Sequence, residues 1–276
     1  MTRARDIRLL LSDVDGTLVT DDKVLTEGAM SAARALREAG VALAVTSSRP
    51  PRGLRMLVQP LDLRLPLSGC NGGATVDPDM TVIETRLIDP AAARTIVEFL
   101  QKQGLDVWVY TETEWLVRDP DAPHVARERF ILQFDATVVS DFTKAHLDHA
   151  VKIVGVSDDF PRVASSEAAA QALLGDTASA LRSAAHFLDV TNPLANKGQV
   201  LHSLAERLNI APAEIATIGD MPNDVLMFQQ SGFSIAMGNA ADEVKAQASA
   251  VTDSNQNDGW ARAVRDFLLP AARVRA

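Results

Sequence analysis

Cysteine is almost missing from this 276-residue chain. Cys70 stands alone, so no internal disulfide can form and stability must come from a packed core. A single cysteine of this kind reads as a small, inert hydrophobe. Basic charge is also short. The 27 Lys and Arg face 36 Asp and Glu, which leaves a formal net charge of −9. Such a surface repels a phosphate backbone and argues against a nucleic-acid partner. A small anionic substrate stays open, because a local positive site can sit inside an acidic protein. No apolar run is long enough to span a bilayer. The opening residues Met1 to Asp6 are basic in part, but the short apolar segment behind them runs straight into Asp13, which does not make a signal peptide. These absences predict a cytoplasmic chain with no membrane partner. Internal repeats and low-complexity tracts are missing too. The composition present, 47% hydrophobic and 23% charged, is that of a globular protein with room for one large domain or two smaller ones.

The chain is organised around Leu9-Leu10-Leu11-Ser12-Asp13-Val14-Asp15-Gly16-Thr17. A short apolar run reads as a strand buried on both faces of a parallel sheet. It ends in two carboxylates one residue apart, which in extended chain project to the same side. Two like charges so close repel unless a cation lies between them or one is protonated. Magnesium, a hard cation that takes oxygen ligands, is the natural partner. Gly16 lets the backbone turn away. A calcium loop of the EF-hand type does not fit, because Thr17-Leu18 break its ligand spacing.

From there the rhythm is strand, helix, strand. Thr26 caps a helix to about Ala39, and Val41–Val45 is a second apolar strand that ends in Thr46-Ser47-Ser48-Arg49-Pro50. A short helix follows, then Leu65–Ser68 and the glycine-rich turn Gly69-Cys70-Asn71-Gly72-Gly73. Near residue 84 the pattern changes to a helix opened by Asp89-Pro90, a hairpin over 105–117, and strands at 151–156 and 185–190, with a helix at 167–174 between them. From Thr191 the first rhythm resumes: a helix opened by Asn196-Lys197-Gly198, a strand ending in Gly219-Asp220, a helix opened by Pro222-Asn223-Asp224, and further strands and helices to the end. The expected fold is therefore α/β, a Rossmann-like doubly wound parallel sheet core over residues 1–83 and 191–276, with an inserted α+β cap over 84–190. Ligands of such sheets bind outside the carboxyl ends of the strands. Asp13, Asp15, Ser47, Asn71 and Asp220 fall at such ends, on one expected rim.

Taken together, these segments resemble the haloacid dehalogenase superfamily. Asp13-Val14-Asp15-Gly16-Thr17-Leu18 resembles its first motif, and Ser47-Ser48-Arg49-Pro50 its second, usually Thr-Gly-Arg-Pro in the Cof-like phosphatase branch. Asn71-Gly72-Gly73, Asn196-Lys197-Gly198 and Gly219-Asp220-Met221-Pro222-Asn223-Asp224 match that branch's later motifs, as does the tail from Val251 to Gly259. The insert stands where the branch carries a type-C2 (subtype B) cap. Two departures are Ser47-Ser48 for Thr-Gly, with Thr46 as a competing hydroxyl, and Trp260 for a small apolar residue.

The resemblance implies phosphoryl transfer through a phosphoaspartate, with Mg2+ as cofactor. Asp13 would be the nucleophile. Asp15 would be the general acid and later the base, with Asp13 kept ionised by the metal while Asp15 carries a proton. The ion would be held by Asp13, the Asp15 carbonyl and Asp220, with Asp224 supporting Asp220. Lys197, Ser47, Asn223 and the N–H groups of Val14 and Ser48 would meet the phosphoryl charge. The implied activity is hydrolysis of a small phosphorylated metabolite such as a sugar phosphate, by a monomer or weak homodimer. A phosphomutase, or a non-catalytic phosphometabolite-binding protein, is the alternative. Plainer readings stand beside these: Asp224 is also a good first-turn helix residue, Arg49 can brace its loop, and the five histidines are incidental. Trp108, Tyr110 and Trp115 read as the insert's own core, with a substrate lid as the alternative.

Overall fold

A computed structural model describes residues 7–269; residues 1–6, which carry the segment read above against a signal peptide, and the segment from 270 onward lie outside the described residues. The first strand, Leu9–Ser12, is buried at every position. It lies inside a five-stranded parallel sheet, between Ile215–Gly219 and Ala42–Val45, with Phe233–Ala236 and Ala250–Val251 beyond the former. The unbroken apolar run follows from this place. Leu10 packs with Ala29, Ala32, Ala33 and Leu36 of the helix Glu27–Glu38. Leu9 and Leu11 point to the opposite face, against Val200, Leu201 and Leu204 of the helix Lys197–Leu208. Helices thus cover both faces, as the doubly wound reading requires. The first helix starts where its cap does: the Thr26 hydroxyl accepts from the Ala29 N–H at 3.0 Å.

The third expected strand is not part of this sheet. Only a bridge from Thr46 to Ser68 continues the parallel order. Leu67–Gly69 pairs instead antiparallel with Ala74–Val76, which pairs with Val82–Thr85, in a separate three-stranded sheet. The glycine-rich turn returns the chain on itself, where a parallel strand would need a crossover. Because Val82–Thr85 spans residues 83 and 84 and belongs to this small sheet, we propose that the crossing into the insert lies after Thr85.

The insert is a six-stranded, mostly antiparallel sheet in the order Ser179–Ala184, Phe187–Thr191, Lys152–Val156, Asp106–Tyr110, Trp115–Val117, Thr137–Val138. Helices Pro90–Lys102 and Phe160–Leu174 cover one face, burying Val107, Val109, Ile153, Leu188 and Val190. The latter helix begins seven residues earlier than the sequence suggested, where Asp159 caps it and Pro161 fits its first turn. Two short helices, Val125–Leu132 and Lys144–Asp148, and the strand Ser179–Ala184 were not expected. By the two-residue period of a strand, Trp108, Tyr110, Lys152, Val154, Phe187 and Asp189 lie on the other face. Part of it packs with Cys70 and Ala74 of the core. None of the helices among the described residues is long and apolar enough to cross a membrane.

Candidate active site

Two loops at the carboxyl ends of the central strands Leu9–Ser12 and Ile215–Gly219 bring Asp13, Asp220 and Asp224 together, so that one oxygen from each lies within 4.8 Å of the others. Lys197, at the start of its helix, enters from beside them. Its ammonium donates to Asp13 Oδ1 at 2.6 Å and to Asp224 Oδ1 at 2.5 Å, and only 1% of the residue is exposed. Burial alone would lower the Lys197 pKa, but the two carboxylates hold it above that of an ordinary lysine. Burial pushes the Asp13 carboxyl well above its usual range. Lys197 opposes this, and the charges of Asp224 and Asp220 add to it. Asp220 is pushed up to about 6, by burial first and by Asp224 next.

Asp224 is fully buried and committed on both oxygens. Besides Lys197, it accepts the N–H groups of Asp220 and Met221, each at 2.9 Å. It fixes the loop that aims Asp220, so its structural and functional readings are one. Asp220 is further held by the Thr17 hydroxyl and by Asn239, which also donates to the Gly16 carbonyl. Gly16 has a φ of +75°, and a Cβ there would collide with the Asp220 carboxylate. Close approach between the two loops thus requires glycine.

Asp15 faces elsewhere. Arg49 Nε and Nη2 grip its carboxylate as a fork, both at 2.6 Å, and Lys23 Nζ lies 2.7 Å from Oδ1. Burial works to raise the Asp15 pKa, but Arg49 and then Lys23 outweigh it and hold the carboxyl below its usual range. Without a cation, Asp13 is thus raised and Asp15 lowered; the expected order, with Asp13 ionised, is one that a bound metal would set. Arg49 is itself buried and also donates to the Gly53 carbonyl, so it does brace its loop.

Ser47 is buried, and its hydroxyl accepts from the Arg49 N–H. Thr46 is buried with no hydrogen-bond partner for its hydroxyl. Asn223 donates to the Asn71 side chain at 3.0 Å, while its own buried carbonyl oxygen has no partner. Asn71 and Cys70 both take positive φ to make this turn. The backbone N–H groups of Val14 and Ser48 donate to no acceptor among the described residues. Trp260 bonds the Ser12 hydroxyl at 2.9 Å, beneath the first motif, which gives the unusual tryptophan a role in the packing there.

The cap closes over this rim around a cavity of about 340 Å³, bounded by Asp15, Ser48 and Arg49 below and by Lys152, Asp189 and Phe187 above. Trp108 and Tyr110 also line it. Trp115 does not line it; it packs on both of them and on Phe134. All three belong to one buried cluster of the insert, and two of them also border the cavity.

The sequence reading missed Lys23 and Asn239, which are polar loop residues with no marking of their own, and gave no role to Thr17, although it stands in the first motif. It also missed Lys152 and Asp189. For these a signal existed, since each is a lone charge inside an apolar strand.

Residues 10–264 match a family described as haloacid dehalogenase-like hydrolase. The chain belongs to this family. As a haloacid dehalogenase-like hydrolase it is an enzyme, and the curated relatives it matches carry phosphatase names. It is 26% identical over 287 residues to a 5-amino-6-(5-phospho-D-ribitylamino)uracil phosphatase of Bacillus subtilis, covering 95% of this chain and 98% of that one. It is 26% identical over 272 residues to a pyridoxal phosphate phosphatase of Escherichia coli, covering 95% and 99%. A solved haloacid dehalogenase-like hydrolase of Bacteroides thetaiotaomicron superposes with a TM-score of 0.86 at 24% identity, over 94% of this chain and 98% of that one. That likeness establishes the fold, a parallel α/β core with a cap.

Proposed function

We propose that this hydrolase is a magnesium-dependent phosphatase of small phosphorylated metabolites and that Asp13 is transiently phosphorylated. The observation that carries the reading is the charge balance at the rim. Three buried carboxylates, Asp13, Asp220 and Asp224, face one buried ammonium. That excess of negative charge, made of hard oxygen donors, fits a divalent cation. Asp13 and Asp220 would hold it, the Asp15 carbonyl completes the expected set, and Asp224, which accepts Lys197 and two backbone N–H groups, would fix the loop that carries Asp220. When bound, magnesium supplies Lewis-acid charge to a phosphoryl oxygen.

The chain's own groups do the rest. Asp13 attacks phosphorus with one carboxylate oxygen, the bond to the leaving oxygen breaks, and water later hydrolyses the acyl phosphate. Lys197 orients Asp13 through its 2.6 Å bond and lends positive charge to the phosphoryl group. The free N–H groups of Val14 and Ser48 are donors for phosphoryl oxygens. Ser47 and Asn223 complete the ring; the Asn223 side-chain amide, which donates to the Asn71 oxygen at 3.0 Å, offers its second hydrogen to a phosphoryl oxygen.

Asp15 protonates the leaving oxygen and then takes a proton from water. For this it must leave the grip of Arg49 and Lys23, which hold it ionised. An incoming phosphate ester offers those two cations a competing anion, and that exchange frees Asp15 to carry a proton. The relatives named above act on phosphate esters of ring-bearing small molecules, which supports a small-metabolite substrate here.

The test is a screen of phosphorylated metabolites with and without magnesium, following phosphate release. Steady release from monoesters alone, lost on chelation, is the expected result and also separates a hydrolase from a mutase. Release that ignores chelation would overturn the metal assignment.

A further inference from the structure

We propose that the buried pair Lys152–Asp189 on the cap sheet selects the leaving group, and that it favours an uncharged, hydroxyl-bearing leaving group over one carrying a carboxylate. The inference rests on the phosphatase reading above and names what that reading leaves open.

Lys152 and Asp189 sit on neighbouring antiparallel strands and are both directed into the cavity, with the Lys152 ammonium 3.7 Å from the Asp189 carboxylate. They are 6% and 8% exposed. Two charges in otherwise apolar strands carry a large desolvation cost. Replacing such a buried pair by apolar side chains is commonly neutral or stabilising, so stability does not call for the pair. The Lys152 ammonium also lies 4.6 Å from the centre of the Tyr110 ring and donates to the Ser48 carbonyl at 3.1 Å. The pair is thus held against the second motif, at the junction of cap and core, where the leaving group of a bound ester would sit.

The charges around the cavity set what can enter. Its lining carries three cations, Lys23, Arg49 and Lys152, and three acids, Asp15, Glu128 and Asp189. Lys23 and Arg49 are engaged by Asp15, and Lys152 by Asp189. Glu128 accepts the Tyr110 hydroxyl at 2.9 Å. Once the phosphate of a bound ester takes up Lys23 and Arg49, a carboxylate on the leaving group would find only Lys152, which Asp189 already shares, and would lie beside Asp189 and Glu128. A hydroxyl is suited to the pair, because it accepts from the ammonium and donates to the carboxylate at once. Trp108, Phe187 and Val154 supply an apolar wall for the carbon face of such a group. The volume of about 340 Å³ is at the small end for ligand pockets, which favours one ring or a short polyol.

The experiment compares kcat/KM for a sugar or polyol monophosphate with that for phosphoglycolate, in magnesium, for the wild type and two variants. Asp189→Asn keeps the shape and leaves Lys152 unshared. The double variant Lys152→Met with Asp189→Leu removes the pair without stranding a charge. The readout is the preference ratio, which a general loss of folding or activity leaves in place. Expected is a wild-type ratio of about tenfold or more towards the hydroxylated ester. In Asp189→Asn the ratio should fall by about tenfold or reverse, as the freed ammonium accepts the carboxylate. In the double variant the preference should shrink without reversing. Turnover of both esters with the same ratio in all three proteins would overturn the inference and leave the phosphatase reading standing. A wild-type preference for phosphoglycolate would do the same. No turnover of any ester by the wild type in magnesium would instead sink the phosphatase reading, and this inference with it.

Discussion

Replacing Lys197 by methionine tests the buried charge cluster most fully. Methionine nearly matches the lysine stem in volume, so the perturbation is the loss of one ammonium. That ammonium now bonds Asp13 at 2.6 Å and Asp224 at 2.5 Å, at a site 1% exposed. Breaking one side of a buried ion pair costs about 3–5 kcal/mol, because the remaining charge is left without compensation. For a chain of this size that corresponds to a fall in Tm of about 10 °C. The pH dependence gives a second signature, measured with a chelator present. Lys197 is what opposes the burial that raises the Asp13 carboxyl, so the variant raises it further. A carboxyl with a higher pKa folded than unfolded binds more protons in the native state. Its contribution is full below the unfolded value and is lost as pH rises through the folded one. The variant should therefore become more stable as pH falls from neutral towards about 5, relative to wild type. Thermal melts followed by circular dichroism across that range read both effects. A variant whose Tm stays within about 2 °C of wild type, with a parallel pH profile, would refute the reasoning. Phosphate release should fall by about a hundredfold or more, since the ammonium also meets the developing phosphoryl charge.

Further outcomes follow from other contacts. Asp13→Asn should abolish phosphate release while leaving Tm unchanged or raised, since it relieves crowding with Asp220 and Asp224; mass spectrometry must exclude deamidation back to aspartate. Gly16→Ala forces a Cβ into the Asp220 carboxylate at a φ of +75°, and should reduce both stability, by about 1–3 kcal/mol, and affinity for magnesium measured by calorimetry. The Cys70 thiol, fully buried and pushed up to about 12 by that burial, should resist a disulfide reagent at pH 8 in the native protein and react in denaturant. Rapid reaction of the native protein would show that the loop carrying it opens.

The parallel core was legible because its strands are buried on both faces, so Leu9-Leu10-Leu11 needs no alternation to be recognised. The rim was legible for the same reason: each central strand ends in Asp, Ser or Gly-Asp where the apolar run stops. The small sheet was not, because Leu67–Gly69 and Ala74–Val76 are three residues each and differ from a buried parallel strand only in their partner. In the cap, helix Val125–Leu132 carries Arg127, Glu128 and Arg129 in its centre, and its apolar residues trace no clean stripe. The direction Asp15 takes was beyond the sequence, because it depends on Arg49 and on Lys23 meeting it across loops. Lys152 and Asp189 each stood out as a charge in an apolar strand, but only the register pairing Val154 with Asp189 puts the two side by side.

The central claim, that Asp13 carries the phosphoryl group, is tested most directly by trapping it. The enzyme is turned over with a phosphate ester in magnesium, quenched in acid and reduced with borohydride, which converts an aspartyl phosphate to homoserine. Trypsin then releases the peptide Leu9–Lys23, which contains Asp13, Asp15, Asp21 and Asp22. Fragmentation should locate homoserine at position 13 and at no other. Homoserine at position 15, or an unmodified peptide from enzyme that was releasing phosphate when quenched, would contradict the account.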